Sequence, residues 1–233
     1  GALTTAAVSA LLVRRYLKQE LRPPSLFHAD PERLSVRDEE ILHRLREVLL
    51  RDYWPHPVFE FNGYSSMGVM ALGTMLPAPM TGEMETLRLQ DGGTVLLHWS
   101  ERSPGPAAPL VLILPGLGND SRTAYIQSAV GHLGRQGFAA VVLNYRAVGP
   151  QELRTPRVGC ADSWRDLPEV LAHVRARAPE APLAAVGYSM GASILLKYLG
   201  VAGAGCPLAG AMAVSAPVDI PSTAADIHSP KNR

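Results

Sequence analysis

Between residues 35 and 50, apolar Ile41, Leu42, Leu45, Val48 and Leu49 recur on one face. That spacing predicts a helix from about Ser35 to Leu50, with Ser35 and Asp38 as its capping pair. An earlier helix is predicted over Val8–Leu21, ending at Pro23-Pro24, and the prolines of Tyr53-Trp54-Pro55-His56-Pro57 close the second one. Phe59–Pro79 is rich in aromatic residues, glycine and methionine without a period, and is expected to pack under the core. The rhythm changes at Glu83. Met84–Leu89 and Thr94–Trp99 read as strands joined at Asp91-Gly92-Gly93, a strong hairpin signal. Short apolar runs then alternate with helical stretches. Leu110–Leu114, Ala139–Asn144, Leu183–Tyr188 and Leu208–Val214 read as strands. Ala124–Gln136, Ser163–Arg177 (with Ser163 and Asp166 as a capping pair) and a stretch reaching Leu199 read as helices. A hairpin followed by repeated β–α units predicts an α/β fold with a mostly parallel sheet and helices on both faces. The expected organisation is a helical and irregular leader over 1–82, an α/β core over 83–220 and a polar tail over 221–233.

Composition narrows this little. With 233 residues, 47% hydrophobic and 18% charged, the chain is long and apolar enough for a sizeable buried core, not a disordered polymer. A net charge of +1 with both signs interspersed leaves no electrostatic footprint for nucleic acid. Cys160 and Cys206 have no metal-ligand spacing and point to a reducing compartment. The apolar run Ala2–Val13, followed by Arg14, Arg15 and Lys18, is too short to span a bilayer. It reads as a plain helix, with membrane attachment as the alternative.

The chemistry concentrates at Ala184–Leu196, an apolar strand, then Gly187-Tyr188-Ser189-Met190-Gly191, then an apolar helix. Strand, Gly-x-Ser-x-Gly and helix in that order are the context of a nucleophile elbow. The glycines let the chain double back, and Ser189 is held at the carboxyl end of a strand, where open α/β sheets place their chemistry. The following helix aims its amino terminus at the serine and favours a developing anion. Acyl transfer also needs oxyanion donors. Those expected are the backbone N–H groups of Met190 and of Leu117, the latter in the loop Pro115-Gly116-Leu117-Gly118-Asn119-Asp120-Ser121.

The base and its orienting acid are harder to find. After Ser189 the chain offers Asp219, Asp226 and His228. Asp219 follows the last strand and is the candidate acid; His228, in a polar tail, is the candidate base. His43, His98, His132 and His173 read as solvated or structural. No metal or organic cofactor is called for.

These residues, taken together, resemble a known family. The similar stretches are Asp91-Gly92-Gly93, Leu114-Pro115-Gly116-Leu117 with Ser121 and Tyr125-Ile126, Gly137-Phe138, Asn144-Tyr145-Arg146 and Thr155-Pro156-Arg157. Ala181-Pro182-Leu183, the elbow and Lys197-Tyr198-Leu199-Gly200 follow, and Tyr53-Trp54-Pro55 and Phe61-Asn62-Gly63 precede them. They resemble the α/β-hydrolase-domain family that includes plant embryogenesis-associated proteins, bacterial hydrolases and animal membrane-associated lipid hydrolases. The resemblance implies an α/β-hydrolase fold, esterase or lipase activity on carboxylic esters such as acylglycerols or phospholipids, and frequent membrane anchoring. By it Ser189 is the nucleophile, and Leu117 and Met190 are the oxyanion donors. Ala147 stands where a glycine is usual, as does Ala192, and Tyr64-Ser65-Ser66 replaces a segment that often carries histidine. The family's acid and histidine lie on later strands, which implies that this chain is an incomplete core with impaired catalysis and an exposed edge at Leu208–Val214. The alternatives are a catalytically inactive binding protein and an acyltransferase.

Overall fold

The computed structural model describes Leu26 and residues 35–51, 82–101 and 107–229. The expectations for Val8–Leu21, Tyr53–Pro57, Phe59–Pro79 and the motifs at 53–55 and 61–63 lie outside these residues. The chain forms two compact units, Gly1–Leu72 and Gly73–Arg233.

The first unit contains helix α1 (Val36–Arg51). Its start is a reciprocal cap, as the sequence predicts. The Asp38 N–H donates to Ser35 Oγ at 3.2 Å, and the Ser35 N–H and hydroxyl donate to Asp38 Oδ2 at 2.8 and 2.7 Å. The two bonds from Ser35 hold the Asp38 carboxyl below the usual aspartate range.

The second unit is a six-stranded sheet with helices packed on it. In chain order it runs β1 (Glu83–Arg88), β2 (Thr94–Trp99), β3 (Leu110–Leu114), α2 (Ala124–Arg135), β4 (Ala139–Asn144), α3 (Leu167–Arg177), β5 (Leu183–Tyr188), α4 (Met190–Ala202), β6 (Gly210–Val214) and α5 (Ile220–Ile227). The strand order is β1-β2-β4-β3-β5-β6, antiparallel for the first two pairings and parallel for the rest. Strands β2 and β3 are buried along their whole length, and β3 is the continuous apolar run that such burial requires. The larger core cluster joins Leu112, Leu114 and Leu143 of the sheet to Leu167, Leu171, Ile194 and Leu195 of α3 and α4. A smaller cluster packs Val111, Ile113 and Val142 against Ile126 of α2. Between α2 and the β5–β6 edge an open groove of about 510 Å³ is lined by Val186, Tyr188, Met212 and Val214.

One expectation changes. The helix predicted from Ser163 begins as a 3₁₀ helix, Ala161–Asp166, and becomes α-helical only at Leu167 with Pro168 in its first turn. Ser163 instead closes a box with Cys160, accepting the Cys160 N–H at 3.0 Å. Asp166 stands at the N-cap of α3 but its side chain makes no capping bond, because its carboxylate is committed to Arg146. After β6, Asp219 Oδ1 accepts the Ser222 N–H at 3.0 Å and starts α5, which runs into the stretch read as a polar tail.

Arg146 is the hub of the carboxyl-terminal side of the sheet. Its side chain is 4% exposed. Nε and Nη2 donate to the two oxygens of Asp166, both at 2.8 Å, and Nη1 donates to Thr155 Oγ1 at 3.1 Å. Nη1 also lies 2.9 Å from Asp91 Oδ2, which Arg157 approaches at 3.1 Å. A fork of this kind satisfies a planar guanidinium on several sides at once. Asp91-Gly92-Gly93, Asn144-Tyr145-Arg146 and Thr155-Pro156-Arg157, separate in sequence, thus meet at one guanidinium. Gly93 has to be glycine, since a side chain there would strike Arg146 Nη1. Ala147, next along, has φ 58°, the left-handed region that explains why glycine is usual at this position.

Replacing Ala147 with glycine is therefore expected to stabilise the fold by up to about 1 kcal/mol, because the exposed residue loses backbone strain and no packing; chemical denaturation reads this. The Arg146 guanidinium and the Gly93 N–H hold the Asp91 carboxyl below its ordinary value of 3.8. Its contribution to stability is complete above that value and is lost as pH falls through the lower folded one. Denaturation midpoints between about pH 5 and about pH 2 should fall less steeply for Asp91→Asn than for the parent chain.

Candidate active site

Strand β5 is buried on alternate residues and ends at Tyr188; α4 begins two residues later at Met190. Ser189 alone makes the turn, with φ 50° and ψ −118°. A non-glycine residue held there stores backbone strain, and such outliers cluster at functional sites. The close approach behind the turn explains both glycines. A Cβ on Gly187 would lie 2.5 Å from the Gly191 carbonyl oxygen and 2.7 Å from Ala192 N and Cα. One on Gly191 would collide with the Leu114 carbonyl oxygen and lie 2.6 Å from that of Pro115. The Ser189 N–H donates to the Val214 carbonyl at 2.9 Å, and Ser193 Oγ donates to the Pro217 carbonyl at 2.9 Å. These bonds tie the elbow and α4 to the end of β6. Ser189 itself is exposed, and the amino terminus of the 13-residue α4 begins at its backbone.

The loop after β3 lies directly against the serine. The position a Cβ would occupy on Gly116 is 3.4 Å from Ser189 Cβ and 3.5 Å from the Tyr125 hydroxyl. The Gly116 N–H donates to that hydroxyl at 3.0 Å, so this amide is already used. Leu117 and Met190, the two expected donors, are different: neither N–H has an acceptor among the described residues. Leu117 is 71% exposed and follows Gly116 in the loop, while Met190 is buried and opens α4.

Several side chains that no motif argument assigned hold this loop. The Ser121 N–H donates to Asn144 Oδ1 at 2.8 Å, and Asn144 Nδ2 donates to Ser121 Oγ at 3.1 Å, all of it buried. The Tyr145 hydroxyl donates to the Pro115 carbonyl at 3.0 Å. Asn119 N–H donates to the Gly116 carbonyl at 3.2 Å, closing a turn in which Gly118 takes φ 70°. Burial pushes the Tyr125 and Tyr145 hydroxyls above the ordinary tyrosine range, so both keep their protons at neutral pH. The signal for these residues was present in the sequence as family-like motifs; what they touch was not.

The remaining candidates are more scattered. Asp219 and His228 stand at opposite ends of α5, about 12 Å of helix apart, and are not a hydrogen-bonded acid–histidine pair. Asp219 caps that helix and His228 is exposed beyond its end. His173 pairs with Glu85 at 2.7 Å. Burial raises that carboxyl, but bonds from Trp99, His173 and Arg177 outweigh it and hold Glu85 below the usual range. His98 is buried in β2, while His43 and His132 are exposed on helices. Among the described residues no group of histidine, cysteine and carboxylate side chains could hold a metal ion, and no helix is long and apolar enough to cross a membrane.

The sheet order, the strained serine between strand and helix, and the loop packed against it define an α/β-hydrolase. Residues 105–229 match the family described as serine aminopeptidase, S33, and the chain belongs to it. It is 35% identical over 153 residues to the embryogenesis-associated protein EMB8 of Picea glauca, covering 62% of this chain and 34% of that protein. It is 36% identical over 144 residues to the human phospholipase ABHD3, covering 59% of this chain and 35% of the relative. The chain thus spans about a third of the length of these two relatives. Among solved structures the esterase Pf2001 of Pyrococcus furiosus superposes with a TM-score of 0.52 at 18% identity, over 64% of this chain and 62% of that one. The fold is the same. The chain is a member of a serine hydrolase family of esterase, lipase and phospholipase type, as its motifs imply.

The elbow geometry makes a paired prediction. Gly191→Ala forces a methyl group into two backbone carbonyls and should cost about 3 kcal/mol or more. Gly200→Ala, on the same helix with nothing within 4 Å of the new atom, should be neutral or stabilise by up to about 1 kcal/mol. Thermal melts of the two variants side by side check the contrast.

Proposed function

We propose that this protein is a serine hydrolase of carboxylic esters, acting through Ser189, on acylglycerol or phospholipid substrates. The observation that carries the reading is Ser189 itself, strained at φ 50° between β5 and α4 and packed against the loop at Gly116; the neighbouring Leu117 and Met190 N–H groups have no acceptor among the described residues. In the reaction, Ser189 Oγ attacks the ester carbonyl carbon and gives its proton to a base. The carbonyl oxygen takes the negative charge and accepts hydrogen bonds from Leu117 N–H and Met190 N–H. Each such donor typically contributes about 3 kcal/mol of transition-state stabilisation. Collapse releases the alcohol with a proton and leaves Ser189 acylated; water then attacks the acyl-enzyme and frees the acid. The name of the human relative, a phospholipase, supports the lipid-ester class, and a substrate of that class would bring the protein to a membrane surface.

His228 is the histidine that follows Ser189 in the sequence and is our candidate base, with Asp219 the candidate acid. The two stand at opposite ends of α5, and turnover by this chain is expected to be slow. The second reading, a catalytically inactive binding protein, draws its support from the same separation.

Labelling by a fluorophosphonate probe tests the proposal. We expect the chain to be labelled, the Ser189→Ala variant to be unlabelled, and His228→Ala to be labelled more slowly by at least about tenfold. Folded protein that takes no label would overturn the hydrolase reading in favour of the binding one.

A further inference from the structure

The bonds at Pro115 and Gly116 belong to one peptide group. Its carbonyl oxygen accepts from the buried Tyr145 hydroxyl at 3.0 Å, and its N–H donates to the Tyr125 hydroxyl at 3.0 Å. One tyrosine comes from the end of β4 and the other from the first turn of α2, so the peptide plane is gripped at both polar ends by separate elements. From this we infer that Tyr125 and Tyr145 form a clamp that fixes the Pro115–Gly116 peptide, and through it the direction of the Leu117 N–H beside Ser189.

The physical need for such a clamp follows from the loop's composition. Gly116 and Gly118 give the backbone wide conformational freedom, and a peptide preceding glycine rotates with little steric penalty. If the Pro115–Gly116 plane turned over, Gly116 N–H would leave its partner and the following amide would swing away from the serine. Oxyanion stabilisation depends on donors already aimed before charge develops. The clamp supplies that aim. It also explains why Leu117 N–H, and not Gly116 N–H, is the donor proposed for this loop: Tyr125 occupies the latter.

Each tyrosine is itself held in place. Tyr125 packs edge-on against Tyr188, the residue before Ser189, with ring centroids 5.2 Å apart and planes at 69°. Tyr145 is 1% exposed and lies between Asn144, which grips Ser121 at the far end of the loop, and Arg146, the buried ionic hub. The Pro115 carbonyl oxygen that Tyr145 holds is also one of the two that press on Gly191. The clamp therefore registers the loop against the elbow as well as orienting an amide. Both residues are positioning residues: each acts on catalysis through a backbone group.

The inference rests on the proposed role of Leu117 N–H, and its test separates the two. Tyr125→Phe and Tyr145→Phe keep the rings and remove one hydroxyl each. Hydrogen exchange of the Gly116 and Leu117 amides, followed by NMR on the full chain, is compared with exchange in β3 and β5. We expect Tyr125→Phe to speed Gly116 exchange by about tenfold, and both variants to speed or shift Leu117, with the strands unchanged. Unchanged Gly116 and Leu117 amides, or acceleration spread evenly over the strands, would overturn the clamp. Where the parent chain hydrolyses a soluble ester, both variants should lower kcat with KM unchanged; loss in KM alone would also overturn it. A parent chain that takes no fluorophosphonate label sinks the hydrolase reading, while the amide exchange still decides the clamp.

Discussion

The fit of α4 behind the end of β5 is the constraint on which the rest depends. The two backbones meet there closely enough that Gly187 has no room for a methyl group, and the end of β3 lies so close to α4 that Gly191 has none either. That contact forces the reversal into one residue, and Ser189 takes the strain at φ 50°. Strain of this sort persists only where its surroundings over-determine it. Here they do: the Ser189 N–H is paired to β6, α4 is bonded through Ser193 to the segment after β6, and the buried faces of β5 and α4 share the larger core cluster. The stability of the core is what keeps the serine exposed in an unfavourable conformation.

A second layer of constraint runs through three consecutive residues at the end of β4. Asn144 holds Ser121, Tyr145 holds Pro115, and Arg146 is held by Asp166, Asp91 and Thr155. The loop over the serine is thereby connected to the β1–β2 hairpin and to the 3₁₀ helix before α3, neither of which belongs to the elbow. A buried arginine of this kind is weak evidence for added stability, since two desolvated charges must first repay their loss of water. Its geometric role is clearer. A guanidinium fork with acceptors on several sides fixes the relative placement of the segments that supply them, and those segments carry the motifs shared with the family.

Most of the fold was legible in the sequence because its signals were local. Apolar runs of five or six residues between turn residues identified the strands, and β2 to β5 follow those runs closely. The Asp91-Gly92-Gly93 turn and the Ser35–Asp38 cap are likewise set by neighbours in the chain. The spacing Gly-x-Ser-x-Gly between strand and helix was enough to place Ser189. Where the local reading failed, a distant partner had intervened. Ser163 and Asp166 have the spacing of a capping pair, but Arg146, twenty residues earlier, takes the aspartate for itself.

The sequence by itself therefore determined the order of elements, the α/β class, the elbow and the loop that faces it. Only the tertiary structure decided that the Gly116 N–H and the Pro115 carbonyl of that loop are already taken, because their partners Tyr125 and Tyr145 reach it from α2 and from the end of β4. Only the tertiary structure, too, set Asp219 and His228 at opposite ends of a helix. Hydrogen-bond partners far apart in the chain leave no periodic trace in it. A motif records which residues are present, and the packed backbone alone settles what each one touches.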